Sequence, residues 1–332
     1  MSSSKASSFN KLACLVASLL FLMSAISCEA YDNDIDLTTD YYAKSCPKAL
    51  PIIKSVVRAA VAKERRMAAS LVRLHFHDCF VQGCDASVLL KDSKTIISEQ
   101  GALQNFKSAR GFEVIDRIKS AVEKACPGVV SCADILAVAA RDSSKLVRGP
   151  TWKVKLGRRD STTANKALAE KDIPIAFNDL HQIISSFARQ GLSVQDMVAL
   201  SGSHTIGQAQ CITFRERIHE ETNIDPAFAK LRQRRCPSSP VIGNSTLAPL
   251  DAATPYSFDN DYFKNLLQRK GLLHSDQVLF NGGLTDHIVK RYSENEAAFF
   301  EDFSAAMVKM GSIKPLTGSA GQIRKVCSVV NY

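Results

Sequence analysis

Apolar residues recur at helical spacing along most of the chain. Ile52, Ile53, Val56, Val57, Ala60 and Val61 predict a first helix. Ala69, Leu71, Val72, Leu74 and Phe76 give Ala68–Phe80 a broad apolar face without Gly or Pro, which predicts a second. Val114, Ile115, Ile118 and Val122 mark a helix over Phe112–Ala125, stopped by Pro127-Gly128. Ala133–Val147 and Leu180–Arg189 read as helices, and Gly191 stops the latter. Ser193 with Asp196 matches a capping box, so a new helix starts there and carries Met197, Val198 and Leu200 onward. Asn260–Arg269 and Ala297–Met310 close the series, the last ending at Gly311. Glu99–Ala109 is polar and reads as a loop; Gly149–Asp160 reads as a turn-rich connection with one short strand. Strand patterns are few, so the expected fold class is all-α.

The second helix carries the densest chemistry. In Leu71-Val-Arg-Leu-His-Phe-His-Asp-Cys-Phe-Val-Gln-Gly-Cys-Asp85, two histidines, an arginine, two acids and two cysteines stand in otherwise apolar surroundings. Arg73 and His77 are i and i+4, so on a helix their side chains meet on one face. A titratable base beside a permanent cation can move a proton and stabilise developing negative charge. After His77 the chain turns. Asp78, Asp85 and Ser87 are hard oxygen donors with backbone carbonyls between them, a set that suits calcium. Cys79 and Cys84 stand close enough to close a tight ring. A lone histidine on an amphipathic helix is more often a satisfied core residue. A Cys/His cluster can also hold zinc, but His-x-His followed by Cys-x4-Cys lacks the usual finger spacing.

Composition changes the picture in three ways. The chain has 332 residues, 45% of them hydrophobic, enough for a sizeable core in one large domain or two lobes. Residues 1–30 read as a secretory signal: Lys5 and Lys11 precede the apolar run Leu12–Ile26, and Cys28-Glu29-Ala30 offers small residues for cleavage. That run falls short of the roughly 20 residues a membrane span needs. Of ten cysteines, Cys14 and Cys28 fall inside the signal; the remaining eight imply up to four disulfides, with roughly a hundred pairings open. The net charge of +9, densest at Arg232-Gln-Arg-Arg235, has no aromatic-interleaved basic motif beside it, so nucleic acid is not an expected partner. Weak attraction to an acidic extracellular matrix is the better expectation, and a merely solvated surface the commonest cause of such charge.

A second motif, Leu200-Ser-Gly-Ser-His204-Thr-Ile-Gly207, places a histidine near a helix end among small residues that let something flat approach the backbone. Downstream, Asp251-Ala-Ala-Thr254-Pro-Tyr-Ser257-Phe-Asp259 is another oxygen-rich loop. The first block and the His204 motif resemble the two histidine motifs of the plant secretory (class III) haem peroxidases, and the resemblance runs from about Tyr41 to Asn331. It implies a mature domain over residues 31–332, folded as two helical lobes around one haem b group, with two calcium ions. It further implies a secreted, monomeric enzyme that reduces hydrogen peroxide and oxidises small phenolic donors.

The resemblance also assigns roles. His77 matches the acid–base catalyst, Arg73 the charge stabiliser, and Asn105 the amide that fixes the histidine tautomer. Phe76 would pack beside the haem, His204 would ligate its iron, and Asp276 would accept the other ring proton of His204. Asp78, Val81, Gly83, Asp85 and Ser87 match one calcium site, with Glu99 tying the Asn105 segment to it. Thr205, Asp251, Thr254, Ser257 and Asp259 match the other, and Pro174 matches a proline whose carbonyl helps bind the donor. The implied disulfides are Cys46–Cys126, Cys79–Cys84, Cys132–Cys327 and Cys211–Cys236. Lys155 replaces a common proline, and Leu103 and Thr213 stand where the horseradish member has aromatic residues at the substrate entrance. Asn244-Ser-Thr246 is a glycosylation sequon.

Overall fold

The computed structural model describes residues 37–331; the segment expected as a signal lies outside them. Among the described residues there are thirteen α-helices. They are α1 (Ala49–Lys63), α2 (Met67–Cys79), α3 (Phe112–Ala125), α4 (Cys132–Leu146), α5 (Lys166–Asp172), α6 (Leu180–Arg189) and α7 (Val194–Ser201). After them come α8 (Arg215–Glu220), α9 (Pro226–Gln233), α10 (Asp261–Leu267), α11 (His274–Gln277), α12 (Asp286–Glu294) and α13 (Glu296–Met310). One antiparallel pair, β1 (Gln208–Gln210) with β2 (Leu247–Pro249), sets Gln208 opposite Pro249.

Helix α4 is the axis of one half. Ala133, Ile135, Leu136, Ala137, Val138, Ala139 and Ala140 are buried around its whole circumference, and the alanines let neighbours come close. Helices α1, α2 and α3 pack on it. In the other half α13 packs on α7, and α12 packs on α10. The glue there is aromatic: Phe263 meets Phe299 edge-on at 4.8 Å, and Phe258 meets Phe303 at 4.9 Å. Such pairs contribute about 0.5–1.5 kcal/mol each beyond the area they bury. The same cluster places His204. A methyl group on Gly202 would lie 2.5 Å from the Phe299 ring, so only glycine lets the His204 segment settle on those rings. A smaller core of Phe214, Ile218, Phe228, Ala248 and Leu272 lies under α8, α9 and β2.

Where the expected helices had stated ends, those ends lie within two residues of the observed ones, and two helices, Phe112–Ala125 and Leu180–Arg189, coincide. The capping box forms at Ser193–Asp196. Helices α5, α8, α9, α11 and α12 have no counterpart among the expected elements, being short and mostly polar; α12 buries only Ile288, Val289, Tyr292 and Ser293. The strand expected within Gly149–Asp160 does not form. Three isolated bridges, Thr38–Leu156, Arg159–Leu316 and Asp160–Gln322, hold that segment instead. The partners lie far away in sequence, so no local pattern announces them.

Four disulfides join Cys46–Cys126, Cys79–Cys84, Cys132–Cys327 and Cys211–Cys236. The third spans 195 residues and fastens the C-terminal segment to the start of α4. Closing so long a loop in the unfolded chain stabilises by about 5 kcal/mol on the chain-entropy account. Thiol titration of the unfolded, unreduced mature protein is therefore expected to find no free thiol, and two or more would overturn this pairing.

Candidate functional site

Helix α2 presents Arg73, Phe76 and His77 on the side away from its buried Met67, Leu71 and Leu74. His77 is buried, and its Nδ1 lies 2.5 Å from Asn105 Oδ1. Asn105 is held by its own Nδ2, which donates to the Glu99 carbonyl at 2.9 Å. That bond turns the amide oxygen towards the imidazole, and an amide oxygen only accepts, so the ring proton sits on Nδ1 and Nε2 keeps its lone pair. Burial, then the Arg73 guanidinium, hold the His77 pKa well below its ordinary value, against an opposing pull from the Asn105 bond. The imidazole is thus a neutral base at neutral pH. Arg73 donates to the Gln104 carbonyl at 2.7 Å and Ser108 Oγ at 3.1 Å. Burial lowers its pKa to about 10, which leaves it charged.

Directly after His77, Asp78 opens an oxygen cluster. Asp78 Oδ2 accepts from Ala86 N and Asp85 Oδ1 from Ser87 N. Glu99 Oε1 accepts from Asn165 N. Asp78 Oδ1, Ser87 Oγ and Glu99 Oε2 are buried with no hydrogen-bond partner. Burial first, then the neighbouring Asp85 charge, raise the Asp78 pKa well above the carboxylate range; burial lifts Asp85 to about 6 and Glu99 to about 8. Three buried acids, two of them with an orphaned oxygen, are costly unless a cation joins them. Val81 and Gly83 lie in the same turn, closed by Cys79–Cys84. His75, Asp78 and Cys79 also approach one another, but the Cys79 sulfur is spent in the disulfide, so that trio is not a metal site.

His204 lies in a short 3₁₀ turn, Gly202–Thr205, after α7. Its Nδ1 donates to Asp276 Oδ1 at 2.7 Å, which leaves Nε2 as the free ligand atom. Asp276 stands in α11 and is buried. Its Oδ1 also accepts from Tyr262 Oη at 3.1 Å, and its Oδ2 from Leu273 N at 3.1 Å. The side chain of His204 remains 36% exposed beside these buried partners. Gly207, at φ +101°, brings this segment against α2: an added methyl would sit 3.0 Å from the Ala69 Cβ. Arg65, just ahead of α2, donates to the Tyr256 carbonyl at 3.2 Å. The His204 segment therefore packs against the helix that carries His77.

Thr205, next to His204, is fully buried and donates to Asp259 Oδ1 at 3.1 Å and Asp251 Oδ2 at 3.4 Å. Thr254 Oγ1 also reaches Asp251 Oδ2, at 3.4 Å. Burial raises the Asp251 pKa. Ser257 joins the loop through its backbone, N–H to the Thr254 carbonyl at 3.0 Å. Pro174 is half-buried beside Ile173, whose carbonyl accepts from Gln104 Nε2 at 3.2 Å, so it borders the Asn105 segment. Leu103, Phe106, Phe177 and Ile212 are exposed apolar residues, while Thr213 Oγ1 is turned into a bond with the Gln210 carbonyl. Lys155 lends its carbonyl to Arg158 Nη1.

Sequence reasoning missed two buried polar residues. Tyr262 reads as one more aromatic of α10. Arg324 reads as a surface cation, yet it is fully buried, with Nη2 on the Ala86 carbonyl at 2.6 Å beside the first oxygen cluster.

A family description, "Peroxidase", matches residues 53–295. Over 313 residues the chain is 61% identical to the lignin-forming anionic peroxidase of Nicotiana sylvestris, covering 94% of this chain and 95% of that one. It is 60% identical over 295 residues to peroxidase P7 of Brassica rapa subsp. rapa, 89% of this chain and 100% of the relative. Peroxidase 5 of Arabidopsis thaliana is 60% identical over 298 residues, 89% and 92% of the two chains.

Proposed function

The chain belongs to the plant (class III) branch of the peroxidase family, and from that premise we propose that it is a secreted enzyme that reduces one hydrogen peroxide to two waters while two phenols each give up an electron and a proton. The observation that carries the reading is the bare Nε2 of His77, held by Asn105 on the same helix face as a charged Arg73.

The residues fit haem b. His204 offers a free Nε2 with its other ring nitrogen committed to a carboxylate, the usual arrangement of a metal-bound histidine, and Phe76 would pack beside the ring. When bound, haem would supply the redox chemistry, storing the two oxidising equivalents of peroxide that the two phenols consume one at a time. His77 Nε2 takes a proton from one peroxide oxygen and hands it to the other, which departs as water. Arg73 stabilises negative charge on the departing oxygen as the O–O bond opens. Asp276 pulls on the Nδ1 proton of His204 and makes that imidazole a stronger donor. Phenols would be held at the apolar rim near Pro174, Leu103 and Phe177.

Calcium fits the orphaned oxygens. Asp78, Val81, Gly83, Asp85 and Ser87 would hold one ion, with Glu99 beside them; Thr205, Asp251, Thr254, Ser257 and Asp259 would hold the second. Each ligand set includes the residue after a histidine of the site, Asp78 after His77 and Thr205 after His204, so each ion would fix one histidine.

Residues 1–30 would direct secretion, and Asn244 would carry a glycan. Among the described residues no helix is long and apolar enough to cross a membrane. The relative from Nicotiana sylvestris is named anionic, whereas this chain carries +9. Arg234 and Arg235 are exposed, and Arg232 stacks on Phe228 at 4.9 Å, a surface suited to weak binding of acidic polysaccharide.

The test is a Soret band in the purified mature protein together with peroxide-dependent oxidation of a panel of phenols. A haem-free protein, or one that oxidises no phenol, would defeat the reading. A matrix-binding scaffold without catalysis is disfavoured because Arg73, His77, Asn105, His204 and Asp276 are all present and the pairs His77–Asn105 and His204–Asp276 are made.

A further inference from the structure

One oxygen of Asp276 serves two donors. Oδ1 accepts from His204 Nδ1 at 2.7 Å and from Tyr262 Oη at 3.1 Å. Oδ2 accepts from Leu273 N. Asp276 and Tyr262 are each only 2% exposed, so solvent does not compete for these bonds. Burial, then the Asp276 charge, push the phenol pKa well above its ordinary value, so Tyr262 keeps its proton and can only donate to the carboxylate. Arg217, a buried cation within electrostatic reach of Asp276, makes its hydrogen bonds elsewhere: on Glu221 Oε2 at 2.5 Å, Asn223 Oδ1 at 2.9 Å and the Gly271 carbonyl at 2.8 Å.

The phenol is held firmly. Its ring packs edge-on against Phe263 at 5.0 Å and crosses the His204 ring at 85°, centroids 6.2 Å apart. Asn260, ahead of α10, anchors the helix through two bonds to the carbonyls of Tyr292 and Ser293.

We propose that Tyr262 is a positioning residue that tunes the iron ligand through Asp276, its hydroxyl drawing negative charge out of the oxygen that polarises His204. The proposal rests on the reading of His204 as iron ligand and Asp276 as its partner. In a buried site each donor to a carboxylate oxygen weakens that oxygen as an acceptor for the next. With the phenol present, His204 gains less anionic character than Asp276 could give it. Removing the hydroxyl shortens the His204–Asp276 bond, makes the imidazole more anionic and favours ferric iron.

The experiment is a spectroelectrochemical titration of the ferric/ferrous couple in the holoenzyme, with melting temperature recorded alongside. Tyr262→Phe keeps the ring and is expected to shift the one-electron equilibrium towards ferric by about threefold, a fall of roughly 30 mV at 59 mV per tenfold. Replacing Tyr262 by 3-fluorotyrosine, a stronger donor of nearly the same shape, moves the potential upward. Asp276→Asn, which removes the anion, raises it by about tenfold in the equilibrium, ~59 mV. If Asp276→Asn raises the potential and Tyr262→Phe leaves it unchanged or raises it, Tyr262 is a packing residue and the proposal is overturned. If Asp276→Asn moves nothing, the pairing of Asp276 with an iron-bound His204 is itself wrong. A purely structural role would lower the melting temperature of Tyr262→Phe without touching the potential.

Discussion

His77→Ala is expected to slow the first reaction with peroxide by about 10²–10⁴-fold, the ordinary worth of a positioned general acid–base group, while the protein still binds haem. Here one nitrogen supplies both halves of the proton transfer, so the loss belongs at the upper end. The geometry explains why no neighbour can take over. Arg73 is a permanent cation, Asn105 is an amide, and His75 lies buried near Arg158 with a pKa pushed down to about 3 by burial and then by that arginine's charge. Arg73→Ala is expected to lose less, about 10²-fold, because it removes charge stabilisation and leaves proton transfer intact. It also relieves His77 of a neighbouring positive charge. Stopped-flow measurement of peroxide consumption over a range of peroxide concentrations separates the two variants. A His77→Ala protein reacting near the wild-type rate would remove His77 from the mechanism.

What could be read from the chain depended on how local each feature is. Arg73 and His77 are four residues apart on one helix, so their meeting follows from helical geometry, and the structure places them as that spacing demands. Helices α3 and α6 were readable to the residue because each has a dense apolar face bounded by a stop signal or a cap. His77 and Asn105 are 28 positions apart, and His204 and Asp276 are 72 apart. Nothing in the flanking residues links the members of either pair, and only the family resemblance did so. Tyr262 and Arg324 were beyond both routes. An aromatic in Asp261-Tyr-Phe263 reads as core, and an arginine in Gln322-Ile-Arg-Lys325 reads as surface. Arg324 is buried because Cys132–Cys327 and the Asp160 carboxylate, which accepts Arg324 N at 2.8 Å, draw the C-terminal segment onto α4 and the first oxygen cluster. Contacts across that much chain carry no periodic signature.

Stripping calcium from the holoenzyme is expected to lower the melting temperature by on the order of 10 °C per ion. An ion present at about 1,000 times its dissociation constant contributes about 4 kcal/mol, and a domain of roughly this size loses about 2–4 °C for each kcal/mol. The first cluster shows why the loss should be large. Asp78, Asp85 and Glu99 bring three acids into a buried space, with three oxygens lacking any partner, and Arg324 is the buried cation beside them. Its Nη2 holds the carbonyl of Ala86, a residue at φ +60° that turns the loop inward. Without the ion, one guanidinium faces several carboxylates, and the loop should loosen there first. Asp78 is the residue after His77, so that loosening reaches the base before it reaches the core. The expected order on titration with a chelator is therefore loss of the peroxide reaction, then a change in the haem spectrum, then loss of helical signal. Asp85→Asn, aimed at the first cluster, should weaken the peroxide step more than Asp259→Asn, which acts through Thr205 on the His204 side. Exhaustive chelation that left the melting temperature, the haem spectrum and the peroxide reaction all unchanged would show both loops to be ordinary turns.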